Sequence, residues 1–194
     1  MIPRHEQTSI AVRMMRKLAQ NNRLANQRLL SACLKLGPGE FEAARVSFFP
    51  SLKATLNHML TIDWFYVDAL EGGTLGPRAW EPAEPFDAIG PLIAAQSAVD
   101  ERLLAFVSGL TEAGLAAETR VHRTGRIQRE RTDDLLLHLF MHQTHHRGQV
   151  HAMLASSSVK PPQLDEFVTG GVADRQARVP DLLALGWSED ELMR

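Results

Sequence analysis

Five of the chain's eight histidines fall within fourteen residues, in His138-Leu-Phe-Met-His142-Gln-Thr-His145-His146-Arg-Gly-Gln149 and then His151. The segment around them, from about Thr132 to Ala155, has a helical pattern. At about 100° per residue, Leu135, Leu139, Val150 and Met153 fall within roughly 60° of one another and define an inward face. His146 sits inside that arc and His142 at its edge, whereas His138 and Gln149 lie further round and His145 further still. Two imidazoles four residues apart on one face converge on one point, the spacing by which a helix binds a transition metal. A single histidine at such a place is ordinarily a hydrogen-bonded core or surface residue, and the pair alone leaves both readings open.

A third ligand has to come from another helix. A helical pattern begins after Pro50, with Ser51 as its N-cap, and runs to Leu70 before Gly72-Gly73. Its inward arc is Leu52, Thr55, Met59, Ile62, Tyr66 and Ala69. Asp63, Trp64 and Asp68 read as outer-face or rim positions. His58 lies at the edge of the arc near mid-helix. It is the one helical histidine outside the last helix with that placement. His58, His142 and His146 therefore form a three-ligand set, which leaves a coordination position open for water or substrate, as catalytic zinc sites do.

Two further helices complete the frame. The first runs from about Thr8 to Leu36 on Ile10, Met14, Leu18, Ala25, Leu29 and Ala32, and Gly37-Pro38-Gly39 stops it. Asn21, Asn22 and Asn26 fall in its middle; amides beside a core face need partners, so they suggest a polar spot deep in the fold. The third helix runs from about Asp87 to Ser108, after a Pro/Gly/Glu-rich loop over 74–86. Residues 118–130 alternate weakly around Thr124-Gly125 and read as a short polar hairpin. Thr132 is the expected cap of the histidine helix, with Asp133 and Asp134 complementing its dipole. Pro161-Pro162 ends that helix, and the tail beyond, with Phe167, Leu182, Leu183 and Trp187, is too apolar to stay unpacked. The fold expected is an all-α four-helix bundle, residues 1–160, with a hairpin before the last helix. Residues 161–194 form a C-terminal extension of the same domain that packs on the bundle.

Composition narrows the function classes. The chain has 44% hydrophobic and 23% charged residues and a formal net charge of −2, the profile of a soluble globular protein. Nucleic-acid binding by a basic face is not expected: Arg120, Arg123, Arg126, Arg129 and Arg131 cluster, but Glu118, Glu130, Asp133 and Asp134 surround them. No apolar run is long enough to span a bilayer, and the first 30 residues are too polar for a signal peptide. The single cysteine, Cys33, excludes an internal disulfide, reads as a small core residue and fits a reducing cytoplasm.

Leu56-Asn57-His58 with Asp63, and His142-Gln-Thr-His145-His146-Arg147-Gly148-Gln149, resemble the motifs of the DinB family of metalloenzymes. Asn22-Arg-Leu-Ala25-Asn26-Gln-Arg-Leu29, Pro162-Gln-Leu-Asp-Glu-Phe167 and Leu185-Gly-Trp187 resemble it more weakly, so the likeness covers essentially the whole chain. The resemblance implies a divalent metal, nickel or zinc, on His58, His142 and His146. It also implies a homodimer and a low-molecular-weight thiol as substrate, in an S-transfer or isomerisation. Leu24 stands where many members carry an aromatic, which points to a different substrate pocket. Softness alone admits Zn, Ni, Fe or Cu at three imidazoles. Hydrolysis by the metal site, and a metal that only staples helices in a dimer without turnover, are the competing readings. No catalytic residue and no organic cofactor is assigned. Asn22, Tyr66 and Gln149 are candidates to line the pocket, and Asp63 could hold a ligand imidazole only if it faces inward. Leu137, Phe140 and Met141 point away from Leu139 and Val150, so the tail or a second subunit is expected to cover them, with Leu137 and Phe140 at or near the contact.

Overall fold

The computed structural model describes residues 9–193, so Thr8, where the first helix was expected to begin, lies outside the described residues. Four long helices, α1 (Ile10–Cys33), α2 (Leu52–Leu70), α3 (Ile89–Ser108) and α5 (Thr132–Leu154), share one apolar interior. α1 packs on α3 and α5, and α2 packs on the same two helices. Short α4 (Glu112–Ala116) leads into an antiparallel hairpin, β1 (Glu118–Arg123) and β2 (Arg126–Arg131). α6 (Val172–Leu185) and α7 (Glu189–Met193) end the described chain. The architecture is mostly helical with one small sheet.

Local signals account for most boundaries. Ser51 stands in extended conformation before α2 and its Oγ accepts from Ala54 N at 3.0 Å, satisfying one of the four unpaired amides of the first turn. Gly125 takes φ +71° in the hairpin turn, a left-handed conformation that costs glycine little. α5 starts differently from expectation. Its cap position is Arg131, without a side-chain cap, and the Thr132 hydroxyl instead donates to Ala117 O while lying 2.9 Å from Thr119 Oγ1. Asp133 and Asp134 do occupy the first turn.

Packing corrects several faces. α2 is covered on nearly every side, by α3, α5, β1 and a 3-10 turn at Gly76–Trp80, so Asp63, expected at the rim, is 2% exposed. In α1 the interior takes Val12 and Ala19, whereas Ile10 and Met14 are exposed. The hairpin is anchored rather than ornamental: Val121 is fully buried, and the Arg123 guanidinium lies 4.6 Å from the centre of the Phe65 ring.

The tail packs on α1, where Leu24 and Ala25 meet Phe167, Leu182 and Leu192. Arg28 clamps it, donating to Asp181 Oδ2 (Nε, 3.0 Å) and Gln163 O (2.8 Å) while its guanidinium lies 4.3 Å from the centre of the Phe167 ring. Phe140, expected on an outer stripe of α5, is buried within this chain. Leu137 and Met141 remain exposed. No helix among the described residues is long and apolar enough to cross a membrane.

Candidate metal centre

α2 brings His58, and α5 brings His142 and His146, to one point between the two helices. Each offers one ring nitrogen, and these three atoms lie within 4.8 Å of one another. Nε2 of His58 and Nε2 of His142 are 3.0 Å apart. The ring centres are 4.4–5.0 Å apart, with His142 and His146 closest.

The donor set fits a divalent transition metal. Nitrogens about 2.0–2.1 Å from a tetrahedral ion stand about 3.3 Å from one another; the His58–His142 pair is near that at 3.0 Å, and all three nitrogens lie within 4.8 Å. Neutral imidazole is the ligating form, and burial keeps these rings neutral. His58 is pushed down to about 4, by burial and then by His146. His142 is pushed down to about 3, by burial and then by the neighbouring histidines. His146 is also lowered, mainly by burial, against a bond to Gln149 that raises it. Its Nδ1–H donates to Gln149 Oε1 at 2.7 Å, which aims Nε2 at the cluster, the outer hydrogen bond that metal-bound histidines ordinarily make. Gln149 Nε2 in turn donates to His145 Nε2 at 3.1 Å. Nδ1 of His142 is buried without a partner, so no residue fixes its tautomer in the same way.

The remaining histidines of α5 stand outside the group. His145 is exposed and holds Gln149; His138 is exposed and meets Tyr66 edge-on at 5.2 Å. Tyr66 faces His138 and Arg123 rather than the three nitrogens.

A residue without any sequence motif closes the site. Phe49, from the segment before α2, lies 4.4 Å from the His58 ring and 5.7 Å from the His146 ring, centre to centre. Two openings lie near this arrangement. A cavity of about 750 Å³ is lined by Arg45, Ser47, His145, Gln149 and Met153 among others, and by none of the three clustered histidines. A second, of about 340 Å³, has His58 and Phe49 in its own wall. Gln149 thus lines a cavity as expected.

Behind the histidines lies a buried polar network. Asn22 and Asn26 are each 1% exposed and continue α1 without a break. Both donate to Asp100 Oδ1 (3.3 and 3.0 Å), and both amide oxygens accept from Arg147 NH1. Asn22 therefore belongs to the interior rather than to the cavity walls. Gln96 Nε2 bridges Asp63 Oδ2 (2.7 Å) and Asp100 Oδ1 (3.1 Å). Burial raises both acids, Asp63 to about 6 and Asp100 to about 8, the latter also through Asp63. Arg147 follows His146 directly, and Gln143, fully buried, follows His142. The network therefore grips the turns of α5 that carry the pair, and Asp63 serves it rather than an imidazole.

Comparison with known proteins bears on the family and the fold. The profile of the DinB family matches residues 7–176. The crystal structure of a DinB-like protein of Bacillus subtilis superposes with a TM-score of 0.53 over 74% of this chain and 91% of that chain, at 14% identity. No curated protein matches this chain.

Proposed function

The chain belongs to the DinB family, and from that premise we propose that it is a metal-dependent enzyme that transfers or isomerises by way of a low-molecular-weight thiol. The observation that carries the reading is the convergence of His58, His142 and His146, three neutral imidazoles and no carboxylate, beside a cavity that His58 itself lines. Zinc or nickel suits such nitrogen ligands. Three protein ligands leave room for a substrate atom. The four long helices, read as a four-helix bundle, supply the rigid frame. A reducing cytoplasm suits both a free thiol substrate and the unpaired Cys33.

When bound, the metal supplies a Lewis acid that lowers the pKa of a thiol or of water. The chain's own residues do the rest. Burial keeps His58 and His142 uncharged, the form in which an imidazole can ligate a metal. Gln149 holds His146 in the productive tautomer. Phe49 packs beside the His58 and His146 rings and gives that flank of the centre an apolar neighbour. In the larger cavity Arg45 and Ser47 present polar groups to a thiol's carboxylate or amide ends.

Elemental analysis of purified protein tests the centre. About one zinc or nickel per chain is expected, lost in the variant with His58, His142 and His146 all replaced by alanine. Metal retained at wild-type stoichiometry in that variant overturns the assignment. Metal-dependent loss of free thiol with an electrophile present, against metal-dependent ester hydrolysis without thiol, separates transfer from hydrolysis.

A further inference from the structure

The smaller cavity differs in chemistry from the larger one. Its wall is formed by Phe49, Ala54, Ile62 and Trp80 around His58, which is the one member of the triad that lines it. Apart from His58 it has one ionisable side chain, Glu84, and that carboxylate lies 3.4 Å from Lys53 Nζ. No basic residue lines it, whereas Arg45 lines the larger opening. A polar ligand would shed its water here against these apolar walls with few groups to bond in return. At interior packing density about 340 Å³ holds roughly twenty non-hydrogen atoms, room enough for a bicyclic ring.

Resting on the function proposed above, we infer that this cavity is the subsite for the uncharged, apolar body of the second substrate, the acceptor in thiol transfer. The acceptor then lies against His58, with the thiol placed on the Gln149 side of the centre. Phe49 forms the wall of this cavity and stacks on His58, so an aromatic acceptor gains a ring face beside the reacting centre. Specificity for the acceptor then resides in Phe49, Ile62 and Trp80 rather than in the metal ligands.

The test is equilibrium binding of 1-naphthol, a neutral fluorescent bicycle, to the metal-loaded protein, beside myo-inositol, a neutral polar ring. One naphthol site per chain is expected, with inositol at least tenfold weaker. Ala83→Trp, at an exposed position on the cavity wall, fills the space, and Trp80→Ala removes a wall; each should weaken naphthol at least tenfold. Metal content and helical circular dichroism should stay unchanged in both variants. Inositol binding as tightly as naphthol, or naphthol affinity unmoved in both variants, overturns the inference. A wild-type protein that takes up no metal yet binds naphthol in this pattern overturns the metal-enzyme reading and leaves the apolar site standing.

Discussion

Gln149 Oε1 accepts from His146 Nδ1–H at 2.7 Å, one helical turn along α5. The bond orients a candidate ligand and is made by a side chain that also lines the larger cavity. Replacing Gln149 by leucine keeps the helix and removes the acceptor. Loss of such an outer bond typically weakens a metal site by about 10–100-fold. Competition against a chelator of known affinity measures it, and Gln149→Glu, which can still accept, should restore most of the loss. Unchanged affinity in the leucine variant would show that His146 is positioned without Gln149.

A second prediction concerns which imidazoles matter. His138 and His145 are exposed and outside the triad, so His138→Ala should leave metal content intact. His145→Ala should cost no more than a few-fold in affinity, through Gln149. Single alanine variants of His58, His142 or His146 should each lose most of the metal. A His138 variant as empty as the His142 variant would relocate the centre.

How much of this was legible follows from where each signal lies. The pair His142 and His146 could be read because α5 keeps apolar residues at a helical period, so an inward histidine is marked by Leu139 and Val150 beside it. His58 followed from its edge position on α2, and Asn22 and Asn26 announced a polar spot that proved to be a network. Asp63 was misplaced because α2 is covered on nearly every side, and a helix wheel assumes that an outer face exists. Phe49 carried no periodic signal: its contact with His146 spans almost a hundred residues and depends on how an irregular segment folds back. The docking of the tail on α1 depends on Arg28, an unremarkable surface residue until Asp181 and Phe167 meet it.

Arg147 bridges α5 to α1, donating to the amide oxygens of Asn22 and Asn26. Replacing it by methionine keeps volume but strands two buried acceptors, each costing about 1–3 kcal/mol. A loss of roughly 3 kcal/mol in chemical denaturation is expected. Metal affinity should fall as well, because the turn that carries His146 loses its anchor. A variant with wild-type stability would mean that Asn22 and Asn26 find other donors.

The buried acids set a pH dependence. Asp63 and Asp100 have folded values near 6 and 8, above the ordinary carboxyl value of 3.8. Between that value and the raised ones, the native protein binds more protons than the unfolded chain. Stability therefore falls as pH rises through this window, by up to about 1.4 kcal/mol per pH unit for each extra proton held. Asp100→Asn removes its share of that slope. Denaturation of both proteins at pH 5, 6.5 and 8 measures the difference. Parallel slopes for the two would mean that Asp100 is ionised in the native state throughout.

The last prediction concerns assembly. With Phe140 buried in its own chain, the exposed apolar residues of this stretch of α5 are Leu137, 47% exposed, and Met141, 63% exposed, one turn apart. The tail does not cover them: its buried apolar residues Phe167, Leu182 and Leu192 lie against Leu24 and Ala25 of α1. Two large apolar side chains at this spacing form the ridge by which helices pack on one another, and in a two-fold dimer each ridge meets its own copy. The expected state is a homodimer through this part of α5, outside the three-histidine centre. Leu137→Glu places a charge on the ridge without entering the core. It should yield monomers in light scattering at micromolar concentration, with metal content unchanged. A wild type already monomeric under those conditions ends the idea, as does a Leu137→Glu variant that stays dimeric.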